Sequence, residues 1–142
     1  MTPADVVREA MALEGTPFHH QGRVPGLALD CAGVPIHIAK TLGLVSEDFN
    51  VTGYSPIPDG STLKSFCDEY LVPAIDPEVG GVILVAWRLG PPQHLGVVVP
   101  IKNGLAMIHA ESRRARKVQM QRLAFGRAMR LVQAYRFPGV AY

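Results

Sequence analysis

With 142 residues, 48% of them hydrophobic and 18% charged, the chain has the size and composition of one globular domain able to bury a real core, and 1–142 reads as a single domain. A formal net charge of +2 is too small to argue for a nucleic-acid partner, and the few aromatic residues are not interleaved with basic ones. The longest apolar stretch, Val82 to Trp87, is far shorter than a membrane span, and Asp5, Arg8, Glu9 and Glu14 stand where a signal peptide would be apolar, so a soluble chain without a secretion address or membrane insertion is expected.

Thr2-Pro3-Ala4-Asp5 opens a helix: Thr2 can cap it, Pro3 suits its first position and Asp5 can answer the cap. Val6, Val7, Ala10, Met11 and Leu13 give it a broad apolar stripe that stops at Gly15. Thr16 to Gly26 carries Pro17, Gly22, Pro25 and Gly26 without apolar periodicity and reads as a loop. Asp30 is a good cap for a second helix, with Ile36, Ile38, Ala39 and Leu42 apolar and Gly43 as its end. Beyond the Pro/Gly loop from Tyr54 to Gly60, Ser61 can cap a third helix whose inward positions include Leu63, Phe66, Cys67, Tyr70 and Leu71.

From there the composition changes. Val82 to Trp87, Leu95 to Val99, Leu105 to His109, Lys117 to Gln121 and Leu131 to Phe137 read as strands rich in branched and aromatic residues, with a short helix near Leu123 to Met129. Helices first and strands afterwards predict an α+β fold with an antiparallel sheet.

Cys31 directly follows the expected cap Asp30, so its sulfur falls in the first turn of a helix, where free N–H groups and the helix dipole favour a thiolate. By position alone a nucleophile and a small buried apolar residue are equally good readings. A nucleophilic cysteine needs an imidazole, and the chain offers His19, His20, His37, His94 and His109. His37 lies six positions along the same helix and well around from Cys31, which suits a surface or capping residue. His94 begins one apolar strand and His109 ends another.

Two hairpin registers are open. A two-residue Asn103-Gly104 turn leaves the rings on one face but about 13 Å apart. A loop centred between Ile101 and Lys102, favoured by Pro100, sets them directly opposite each other. Cys67 is most simply core, and two isolated cysteines in a reducing cytosol read as thiols. No closely spaced cysteine pair exists and His19-His20 are adjacent, so no metal site is expected. Arg113 to Lys117 is a charge run beside a strand, the usual mark of a solvated edge.

Four motifs stand in order: Gly15-Thr16-Pro17-Phe18-His19-His20-Gln21-Gly22-Arg23, Asp30-Cys31-Ala32-Gly33, Gln93-His94-Leu95-Gly96-Val97 and Ile108-His109-Ala110. Together they resemble the NlpC family of cell-wall peptidases, and more narrowly its branch found with phage-tail and gene-transfer-agent genes. The likeness runs on through Ala134 to Pro138.

The resemblance implies a reduced papain-like fold, with Cys31 as nucleophile, His94 as general base, His109 as the residue that orients the base, and no cofactor. It implies hydrolysis of an amide bond in the stem peptides of peptidoglycan, in a protein assembled into a virion tail with tail-tip or baseplate hub proteins as partners. A structural tail-tip protein that keeps the fold is the alternative. His19, His20, Gln21 and Asp30, close to the nucleophile in sequence, are candidate substrate contacts. The sequence departs from the family pattern at Phe18, where many relatives carry a tyrosine, and at Val79-Gly80-Gly81, where Pro-Gly-Asp is usual.

Overall fold

The computed structural model describes residues 1–56, 59–88, 90–92 and 94–142. Helix α1 (Pro3–Met11) starts on a capping box in which Thr2 and Asp5 answer each other. Two short strands, β1 (Arg23–Val24) and β2 (Ala28–Leu29), form a small hairpin inside the segment expected to be loop. Helices α2 (Gly33–Thr41) and α3 (Thr62–Tyr70) follow. Then come β3 (Val72–Ala74), β4 (Val82–Trp87), β5 (His94–Ile101), β6 (Gly104–Glu111), β7 (Lys117–Arg122) and β8 (Met129–Arg136). The fold is α+β, and these six strands form one antiparallel sheet in the order β3-β8-β4-β5-β6-β7.

β4, β5 and β6 are almost continuous runs of buried residues because both faces of the sheet are covered. Period-two alternation sends Leu95, Val97 and Val99 into the core shared with α1 and α2, where Val6, Ala10 and Ile38 are fully buried. Val98 faces the other way, into a smaller cluster with Ile83, Val85, Met107 and Met129. No helix among the described residues is long and apolar enough to cross a membrane.

Several expectations change. Ser61 does not cap α3 with its side chain; the carboxylate of Asp59 accepts the Ser61 and Thr62 N–H groups (2.9 and 2.8 Å) and the Thr62 hydroxyl. Two residues further upstream, an aspartate reaches the same orphan donors. Of the inward positions on α3 only Cys67 is fully buried, and Tyr70 is exposed. Residues 123–128 hold bends where a short helix was expected. β3, masked in the sequence by Pro73, pairs with β8 at the sheet edge, where a missing N–H is tolerated.

The β5–β6 register falls between the two that were considered. Ile101 pairs with Gly104 around a two-residue Lys102-Asn103 turn, with Asn103 in the left-handed region (φ 61°) that asparagine tolerates. His109 then stands beside Gly96, two residues from His94 on the same face. The pair is diagonal, a separation that long side chains bridge.

Candidate active site

Asp30 organises the approach to Cys31. Its Oδ1 accepts the Gly33 N–H (2.8 Å) and its carbonyl accepts the Val34 N–H (3.3 Å), which fastens the turn leading into α2. The helix itself begins later than expected, with Ala32 rather than Asp30 at its cap position, so Cys31 stands in the turn before it. Oδ1 also takes Arg23 Nη1 (2.7 Å), while Oδ2 accepts the Gln21 N–H (2.8 Å) and the Tyr54 hydroxyl (2.5 Å). Arg23 in turn donates to the Val51 carbonyl, the Gly22 carbonyl and the Tyr54 oxygen. This largely buried network fastens the loop before Cys31 to the segment around Tyr54. Gly33 must lack a side chain here, because a Cβ would meet the Gly22 carbonyl oxygen at 2.6 Å.

The Cys31 sulfur lies against the backbone N–H groups of Leu95 and Ala32. It is therefore pinned between the start of α2 and the residue following His94. The expectation of a favoured thiolate is corrected: burial, reinforced by the neighbouring Asp30 carboxylate, pushes the thiol up to about 12 despite those two N–H groups and Arg23. Desolvation exceeds what the helix start supplies. Cys31 rests as a neutral thiol.

His94 is buried at the first position of β5, with its ring 5.6 Å from that of Trp87. Its Nε2 makes a 2.6 Å hydrogen bond with His109 Nδ1, the rings meeting edge to face. Burial holds both imidazoles well below their ordinary value; the His109 ring and Arg113 also oppose a charge on His94, whereas Glu111 and Gln121 favour one on His109. The pair is neutral near pH 7. With Nε2 engaged, Nδ1 of His94 is the nitrogen left to face a thiol.

Cys31 and His94 line one cleft of about 250 Å³, walled also by Phe18, His20, Tyr54 and Ser112. The thiol and imidazole line that cleft together, and hydrogen bonds between catalytic groups commonly tighten only when substrate binds.

The remaining candidates separate. His20 lines the cleft and stacks edge-on against Tyr54, with ring centroids 5.5 Å apart. His19 and Gln21 are exposed and are not among the described residues that line it; Gln21 acts through its backbone, at φ 58° in the turn that Asp30 holds. Asp30 also lines the cleft, and its carboxylate is buried with four donors on it, so it serves as a scaffold for the loop as well. His37 lies away from the cleft, 3.2 Å from the Thr41 hydroxyl. Gln93 lies outside the described residues.

No protein-family model matches the sequence, and no curated protein matches it. Among solved structures, the NlpC/p60 domain of the peptidoglycan hydrolase SagA superposes with a TM-score of 0.59 over 95% of this chain and 98% of that one, at 19% identity. The chain has the NlpC/p60 fold. That fold explains the layout: a helix start carrying a cysteine is packed on an antiparallel sheet whose adjacent strands carry two histidines.

Within this NlpC/p60 frame, sequence reasoning passed over Arg23, Tyr54 and Trp87. Arg23 was legible as a charge ten residues before the start of a helix rich in apolar residues, which calls for a buried partner. Tyr54, 24 residues from Asp30 in a loop, gave no signal.

Proposed function

We propose that this protein is a cysteine peptidase that hydrolyses an amide bond in the stem peptides of peptidoglycan, carried by a phage tail to open the cell wall. The observation that carries this reading is the shared cleft of Cys31 and His94, with His94 held by His109 at 2.6 Å. The NlpC/p60 fold, seen in a peptidoglycan hydrolase, supports the substrate class, and the four ordered motifs support the phage branch.

A neutral thiol beside a neutral imidazole suits proton transfer concerted with attack. As the sulfur adds to the carbonyl carbon, its proton passes to His94 Nδ1, and His94 Nε2–H donates to His109. The backbone N–H of Cys31, at the helix start, offers one donor to the oxyanion. His94 then protonates the departing amine. Water cleaves the thioester, delivering a proton through His94 back to Cys31 and releasing the carboxylic acid.

Purified peptidoglycan incubated with wild type is expected to release fragments identifiable by mass spectrometry, and Cys31→Ala to release none. His94→Ala is expected to lower kcat by about 10²–10⁴-fold. A second reading, a tail-tip structural protein or a peptidase completed by a tail partner, is favoured by the burial that holds the Cys31 thiol up. Folded wild type that releases no fragments would decide for it.

A further inference from the structure

The hydrogen bond between His94 and His109 leaves open which ring carries the shared proton, and the chemistry depends on that choice. If His94 Nε2–H donates to His109 Nδ1, then His94 Nδ1 is a base able to take the thiol proton. If His109 Nδ1–H donates instead, the neutral His94 carries its proton on Nδ1, facing the cleft, and cannot accept another there. The first arrangement requires neutral His109 to carry its own proton on Nε2. That atom is fully buried and makes no hydrogen bond of ordinary geometry with the described residues. A buried N–H without an acceptor would favour the unproductive tautomer.

One side chain is placed to correct this. β7 runs beside β6 with His109 opposite Gln119 and Met107 opposite Gln121, so Gln121 lies diagonally across from His109 on the same face. This mirrors the diagonal by which His94 reaches His109 from β5. The Gln121 side chain interacts with the His109 imidazole and favours its charged form, as an acceptor would. Its terminal torsion is soft, so turning the amide oxygen toward Nε2 needs little energy.

We propose that Gln121 is a positioning residue that accepts the His109 Nε2–H, fixing the relay across β7, β6 and β5 in the one tautomer that leaves His94 Nδ1 free for the Cys31 proton. Gln121 acts through His109 and touches no substrate. The inference takes the roles of Cys31 and His94 from the proposed function, but its primary test needs neither substrate nor turnover.

Nitrogen-15 NMR of the histidine side chains reads the tautomers directly. In wild type at neutral pH, His109 and His94 are both expected as Nε2–H forms, each with Nδ1 of the unprotonated, pyridine type. Gln121→Met keeps the length but removes the acceptor, and should shift His109 toward Nδ1–H and His94 toward Nδ1–H. Gln121→Glu keeps an acceptor and should retain the wild-type pattern. In peptidoglycan hydrolysis, Gln121→Met should lower kcat by about tenfold or more with KM unchanged, as loss of a tautomer-fixing partner does, and Gln121→Glu should recover it.

A wild-type His109 found as Nδ1–H overturns the proposal, as does a folded Gln121→Met with unchanged tautomers. If Gln121→Met does not fold, the wild-type and Gln121→Glu tautomers still decide. A wild type that shows the expected tautomers, lost in Gln121→Met, but does not cut peptidoglycan upholds the relay and sinks the peptidase reading alone.

Discussion

Asp30 and Cys31 are neighbours in sequence with opposite needs. The carboxylate is buried and engaged by Arg23, Tyr54, Gln21 and Gly33, so removing it strands the Arg23 guanidinium in a site where its side chain is only 15% exposed. Asp30→Ala is expected to cost about 3–5 kcal/mol in urea unfolding. A loss under about 1 kcal/mol would show that water replaces the partner. The thiol beside it, pushed up to about 12 by burial and by that same carboxylate, should react with iodoacetamide at neutral pH far more slowly than free cysteine, speeding up as pH rises. For His94 and His109 the folded values are depressed, so the unfolded chain binds protons first as pH falls. Stability is therefore intact above the ordinary value of 6.5 and declines below it toward the folded values. Thermal unfolding between pH 4 and 7 should show a shallower acid decline in a His94→Gln, His109→Gln double variant, and parallel declines would refute the assignment. Cys31 and both histidines were legible as residue types in context. Their protonation states were not, because these follow from desolvation, which a sequence does not display.

Strand pairing decides whether two histidines fifteen residues apart become one unit. Alternation puts His94 and His109 on one face whichever even shift is chosen, and this much was readable from the sequence. The turn sets the rest: Lys102-Asn103 turns the chain, Gly96 comes to lie beside His109, and the rings meet diagonally at 2.6 Å. Gly96 belongs to this geometry, since a Cβ there would sit 2.6 Å from Met107 Sδ and 2.8 Å from Met107 Cβ. The sulfur could swing aside but the Cβ could not. Gly96→Ala is expected to cost about 1–3 kcal/mol in urea unfolding. An unchanged urea midpoint would show that the two strands part enough to admit the methyl group. At the start of α3 the cap moved from Ser61 to Asp59 because a carboxylate reaches the same donors from further back, a choice between two good capping types that local sequence leaves open.

Across the whole molecule, the segment after α1 is stitched to the edge of β7 by Gly15 N–H to the Val118 carbonyl, Val118 N–H to that of Thr16 and Phe18 N–H to that of Arg116, each at 2.8 Å. These bonds cover the edge strand and bring Phe18 and His20 to the cleft wall. Toward the other edge of the sheet, the Tyr135 hydroxyl on β8 donates to Asp68 on α3 (2.7 Å). Tyr135→Phe should lower stability by about 1 kcal/mol, and an unchanged urea midpoint would mean that packing alone holds α3 in place. The amino-acid order by itself determined the helical first half, the antiparallel second half and the common face of the two histidines, because these depend on periodicity and on residues a few positions apart. Only the tertiary structure decided the β5–β6 register, the Arg23–Asp30–Tyr54 network, the meeting of Cys31 and His94 in one cleft and the neutrality of all three site groups. Those features arise where segments distant in sequence exclude water from one another, and neither burial nor its electrostatic consequence is written in any local pattern.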